Sequence, residues 1–157
     1  MLKQFRTFAL GAIMAAAVSA AALAAGPDVN ATSTGLALRG NDPVSYFTMG
    51  KPQAGDFNIV AEHEGAVYRF VNEDNKKAFM ADPAKYAPQY GGYCAFGAAL
   101  GKKFDGDPNV WKIVDNKLYL NLAPQVAELW TADLKGKIMA ADEKWSMIKS
   151  TPAADLK

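Results

Sequence analysis

The chain opens on an almost uninterrupted run of apolar and small residues from Thr7 to Leu23, rich in Ala, and becomes periodic only beyond residue 34. From Phe57 to Glu62 apolar and polar positions alternate, with Phe57, Ile59 and Ala61 on one face. Glu64-Gly65 supplies a turn and Ala66 to Val71 returns, so 57–71 reads as a β-hairpin. Asn72 is placed to cap a helix running to about Ala81, with Ala78 and Phe79 inward and Lys76 and Lys77 toward water. Asp82-Pro83 ends it and starts a short turn through Tyr86. Val110 to Val114 and Lys117 to Leu122 flank Asp115-Asn116, a second hairpin with a tight turn. Pro124 opens a helix carrying Val126, Leu129 and Trp130 on one face, with Gly136 as its break. A final helix over 137–149 sets Ile138, Ala141, Trp145 and Ile148 at helical spacing. Upstream, Asp42 can cap the short turn that Pro43 begins. No internal repeat and no interdomain linker is visible. The expected fold is α+β: short antiparallel hairpins packed with several short helices.

The apolar start changes meaning with its flanks. Lys3 and Arg6 precede it, and Ala22-Leu23-Ala24 presents small residues at the −3 and −1 positions of a cleavage site. A membrane span needs about 20 strongly apolar residues, and this Ala-rich run barely reaches that length. Residues 1–24 therefore read as a secretory signal peptide cut after Ala24. Residues 25–34 follow as a small, polar, disordered leader, 35–150 as one domain, and 151–157 as a flexible tail. Removing Lys3 and Arg6 from 17 basic residues leaves 15 against 16 acidic ones. That balance gives no long-range pull on nucleic acid. No second apolar run predicts stable membrane insertion after cleavage.

Cys94 is the only cysteine, so no internal disulfide can form in a compartment where disulfides are common. Its surroundings, YAPQYGGYCAFGAALG over 86–101, are rich in glycine and aromatics, and Tyr93 to Leu100 has room for a short helix. A thiol at a helix start suits a reactive group or a soft-metal ligand. A free Cys is as readily a small buried hydrophobe. Tyr86, Tyr90, Tyr93 and Trp111 either line a pocket with Cys94 or pack as ordinary core and rim aromatics. His63, the only histidine, reads as a solvated hairpin residue beside Glu62 and Glu64. The Asp pairs match no calcium loop, and no phosphate loop, serine elbow or HExxH pattern occurs.

The strings DPVSYF (42–47), YRF (68–70) and KKAFMADPAKY (76–86), followed by YAPQYGGYCAFG, KLYLNL and two later tryptophans, resemble the secreted YHS domain-containing proteins. The resemblance covers nearly all of 35–149. It implies a YHS/TRASH-like core with a C-terminal helical extension, a signal peptide and a periplasmic address. Metal-binding YHS modules carry cysteines at positions that here are Ser45, Val71 and Asn75. Without those thiolates a Cys-rich site of that kind is not expected. The functional expectation is an exported binding protein that takes a transition metal ion or a small ligand near Cys94, with Tyr86, Tyr90, Tyr93 and Trp111 around it. The alternatives are a non-enzymatic structural or interaction domain, or a thiol redox protein using Cys94 with a partner's resolving thiol. No catalytic residue is expected.

Overall fold

The structure is a computed structural model and describes residues 27–156; the expected signal peptide and its expected cleavage site lie outside the described residues. In chain order the elements are α1 (Ser45–Thr48), β1 (Asp56–His63), β2 (Ala66–Phe70), α2 (Glu73–Ala81) and α3 (Pro83–Tyr86). There follow α4 (Ala95–Ala99), β3 (Asp107–Val114), β4 (Lys117–Asn121), α5 (Pro124–Thr131) and α6 (Leu134–Ile148). The strands form two separate antiparallel hairpins, β1-β2 and β3-β4. The fold is α+β, as the pattern predicts.

The two hairpins are the same unit built twice, contrary to the expectation of no internal repeat. Each strand of the second begins and ends 51 positions after its counterpart (56 to 107, 63 to 114, 66 to 117, 70 to 121). The ladders carry the same irregularity: pairing steps from Asp56↔Phe70 to Val60↔Arg69, and from Asp107↔Asn121 to Trp111↔Leu120. The local causes also recur. Asp56 and Asp107 each accept the N–H of the residue two ahead, Asn58 and Asn109, at 2.8 Å, which closes the loop where pairing slips. Glu64-Gly65 and Asp115-Asn116 take positive φ at both turn positions, the twist a two-residue hairpin needs. Asp82 and Asp133 cap the next helices by accepting the N–H of Lys85 and Gly136, both at 3.2 Å. Ahead of each hairpin, three successive residues turn left-handed: Leu38, Arg39 and Gly40, then Tyr90, Gly91 and Gly92. Gly55 and Gly106 bring backbone onto backbone: a Cβ would lie 2.5 Å from the Arg69 carbonyl carbon in one and 2.3 Å from Gly92 O in the other.

Packing repeats too. Tyr68 rests on Phe79 at 4.9 Å between centroids, and Tyr119 on Trp130 at 5.3 Å. β4 joins the modules. Its Leu118 and Leu120 enter the first core with Val44, Tyr46, Tyr68, Phe70 and Phe79. Tyr119 turns the other way, into a second core with Tyr90, Ala98, Trp130 and Ala141.

Further sequence expectations change. Residues 27–34 are not a disordered leader: Val29 is buried in the first core, and Asn30 N–H donates to Gly91 O at 2.9 Å. Gly91 allows this approach, since a Cβ there would stand 1.9 Å from Asp28 O. The tail from 151 is held at its start, where Thr151 O accepts from Lys103 Nζ at 2.7 Å. Phe57 is exposed, not inward, because it lies where the β1 ladder loops out. Gly136 is not a helix break; it sits inside α6, which Asp133 starts three residues earlier than expected.

Burial raises the pKa of Tyr46, Tyr68, Tyr90 and Tyr119, the last to about 12, with carboxylate charges (Asp107, Glu64, Asp142 and Asp142 respectively) adding to it. A phenol whose folded pKa is raised stabilises the fold fully below pH ~10, where unfolded tyrosine is also neutral. That contribution is lost as pH rises from there toward the folded values. Phenolate absorbance followed on alkaline titration is therefore expected to rise for these four only together with unfolding. Their independent titration near the ordinary tyrosine pKa would contradict this packing.

Candidate functional site

The site begins with Cys94 at the head of α4. Its N–H donates to Phe104 O at 2.9 Å, which fixes the backbone there. Gly97 N–H donates to Cys94 Sγ at 3.4 Å, and the thiol donates to Asn121 Oδ1 at 3.6 Å. The same Asn121 oxygen accepts Phe96 N–H at 3.2 Å. The residue is 1% exposed. Cys94 is thus a packed helix cap, with no group of three or more His, Cys, Asp or Glu side chains able to hold a metal ion among the described residues. Folded protein is expected to leave Cys94 unmodified by a thiol reagent until denaturant is added; stoichiometric labelling in native buffer would contradict its sealing.

The first module shows what this position does. Asp42 stands where Cys94 stands: Asp42 N–H donates to Gln53 O as Cys94 N–H does to Phe104 O. The Asp42 carboxylate is fully buried. Its Oδ1 accepts Val44 N–H at 2.7 Å; Oδ2 accepts Val71 N–H at 2.8 Å and Asn75 Nδ2 at 2.6 Å. Ser45 Oγ donates to Asp42 O at 2.7 Å. Ser45, Val71 and Asn75, far apart in sequence, therefore meet around Asp42. They meet through hydrogen bonds that tie α1 to the start of α2.

The four aromatic candidates do not gather at Cys94. Tyr86 meets Phe47 edge-on at 5.4 Å in the first module. Tyr90 packs on Tyr119 and Trp145 and donates its hydroxyl to Asp142 at 2.9 Å. Tyr93 covers Lys103. His63 is half-buried, not solvated, with its ring edge on Phe79 at 5.7 Å. Trp111 alone opens onto a cavity that reaches the neighbourhood of Cys94.

That cavity, about 350 Å³, lies between β3 and α5 and is lined by Trp111, Lys112, Asn121, Glu128, Trp130 and Thr131 among others. Trp111 is propped edge-on against Tyr46 at 5.2 Å, and Tyr46 is pinned by donating to Pro108 O at 2.9 Å. Asn121 connects the cavity to Cys94 through its Oδ1. Its Nδ2 has no hydrogen-bond partner among the described residues. Trp130 is wholly buried and its Nε1 is without a partner. An unpaired buried N–H costs about 1–3 kcal/mol. A larger hollow of about 430 Å³ beside Val114, Leu134, Ile138 and Met139 has no buried polar group; its Asp115 and Lys135 are exposed.

Sequence reasoning passes over Asn121 and Trp130, the first as a strand residue and the second as core. The signal that finds them is the alignment of the modules. At the corresponding positions the first module has Phe70 and Phe79, both fully buried and apolar. Comparison of the chain with known protein families, with curated proteins and with solved structures found no match in any of the three.

Proposed function

We propose that the protein is an exported YHS-like binding module that takes a small organic ligand in the cavity between β3 and α5. The observation that carries this reading is the cavity of about 350 Å³ between β3 and α5, which Trp111 lines and whose Asn121 reaches Cys94. Trp111 adds a half-buried ring fixed in place by Tyr46, the usual anchor of a small-molecule site. The convergence of Ser45, Val71 and Asn75 on one residue supports the YHS resemblance. The charged, apolar and small-residue order of the first 24 residues supports export to a periplasm. Among the described residues no helix is long and apolar enough to cross a membrane. For the soft-metal form of the reading, Cys94 supplies one sulfur already engaged by Gly97 N–H and Asn121, so a small organic ligand fits the donor set better.

Calorimetric titration with phenol tests the placement. Wild type is expected to bind it, and Trp111→Ala to weaken binding at least about ten-fold, the loss of one aromatic contact face. Equal binding by the two proteins, or none by wild type, would overturn it.

A further inference from the structure

We infer that the apolar hollow beside Met139 is a docking site for a helix of another protein, one that carries an aromatic residue and a lysine one turn apart. The template for that partner lies inside this chain. Val114, Asp115, Lys135, Ile138 and Met139 line the hollow. The residue 51 positions before each of them, from His63 and Glu64 to Pro88, lines a hollow of about 320 Å³ in the first module. The two hollows are therefore the same place in the two copies of the unit. In the first module the end of α6 supplies a further wall. Trp145, on its last turn, and Lys149, at its C-cap, line that hollow, and Lys149 Nζ pairs with Glu64 at 3.2 Å and Asp28 at 3.8 Å. Residues four apart share a helix face, so one turn delivers both contacts. In the second module every lining residue comes from the end of β3, its turn or the first half of α6. What remains is an open volume of about 430 Å³, with Val114, Leu134 and Ile138 half-buried and Met139 exposed. Asp115 holds the place of Glu64 and has no ion-pair partner among the described residues. An aromatic ring laid on Val114, Ile138 and Met139, with a lysine at Asp115, repeats the closed arrangement of the first module. The α6 end of a second copy is already engaged in its own first-module hollow, which leaves a different protein as the donor. The hollow shares no lining residue with the cavity between β3 and α5, so the inference stands apart from the ligand-binding reading.

The probe is a fluorescein-labelled synthetic peptide with the sequence of residues 137–151 of this chain, which presents Trp145 and Lys149 one helical turn apart. Binding to the protein is read as fluorescence anisotropy. Wild type is expected to bind the peptide, and a peptide carrying Trp145→Ala to bind at least about ten-fold more weakly, the loss of its aromatic anchor. In the protein, Met139→Lys is expected to weaken binding about ten-fold, because it removes apolar contact and sets a like charge against the peptide's lysine. Asp115→Asn should weaken it about three-fold, the size of an exposed ion pair. Met139 is exposed, so the Met139→Lys protein should melt with wild type. No binding by wild type would overturn the inference. Equal binding by wild type and Met139→Lys would also overturn it, because the peptide would then sit elsewhere. A wild-type dimer in analytical ultracentrifugation that Met139→Lys dissociates would assign the face to a second copy of this chain and overturn it as well.

Discussion

Replacing Lys103 with methionine is expected to destabilise the protein by about 3–5 kcal/mol, which is much of the total stability of a domain this size. Lys103 is 5% exposed, and its ammonium donates to three backbone carbonyls: Pro27 at 2.8 Å, Lys149 at 2.5 Å and Thr151 at 2.7 Å. The rings of Tyr93 and Trp145 lie over the same nitrogen at 5.2 and 5.1 Å. Removal from water lowers the Lys103 pKa, and the Asp28 charge acts against that. Three carbonyls and two ring faces nevertheless form a cage suited to the charged form. Methionine keeps the stem and leaves all three part-buried carbonyls without their donor. The cage also clasps both ends of the described chain, since Pro27 precedes the first core and Thr151 follows α6. The loss should appear as a fall of roughly 10–20 °C in melting temperature, together with faster proteolysis at both ends. A melting temperature within a few degrees of wild type would show that the cage is not what holds the termini.

The second large effect is expected at Asp42. Its buried carboxylate accepts Val44 N–H, Asn75 Nδ2 and Val71 N–H, all at 2.6–2.8 Å. Asp42→Ala strands these donors and should cost about 3–5 kcal/mol, read as a lower urea midpoint with an unchanged slope. Asp42→Asn is a sharper probe. The asparagine keeps one acceptor oxygen but turns an N–H₂ toward donors, so it should recover only part of the loss. Full recovery by Asn would mean that charge and acceptor count at this position are unimportant.

Local structure was legible where one residue has one job. Asn72 caps α2 through Asn75 N–H, Pro83 opens α3, and the two hairpin turns fall where Glu64-Gly65 and Asp115-Asn116 place them. What escaped is the relation between the halves. Between 50–82 and 101–133 only eight positions are identical: Gly50, Lys51, Gly55, Asp56, Asn58, Tyr68, Ala81 and Asp82 with their counterparts. Among them Gly55, Asp56 and Asp82 share backbone duties, namely a tight approach, bulge closure and capping, and Tyr68 is a packed ring. The apolar positions are free to change size, as Phe79 to Trp130 shows. The second copy is also one residue shorter, so that Asp42 matches Cys94 at a spacing of 52 while Gly50 matches Gly101 at 51. A sequence pass that reads one segment at a time has no reason to lay these side by side. The same blindness hid the site. Trp111 was within reach as an aromatic in a strand, but Asn121 and Trp130 stand out only against Phe70 and Phe79. Phe57 failed for a different reason: strand alternation assumes an unbroken ladder, and Asp56 breaks it by folding onto Asn58 N–H.

A crystal structure of the protein grown with phenol addresses the binding site most directly. The ring is expected beside Trp111 in the cavity between β3 and α5. A cavity that stays empty of phenol, or phenol found only in the hollow beside Met139, would contradict the account.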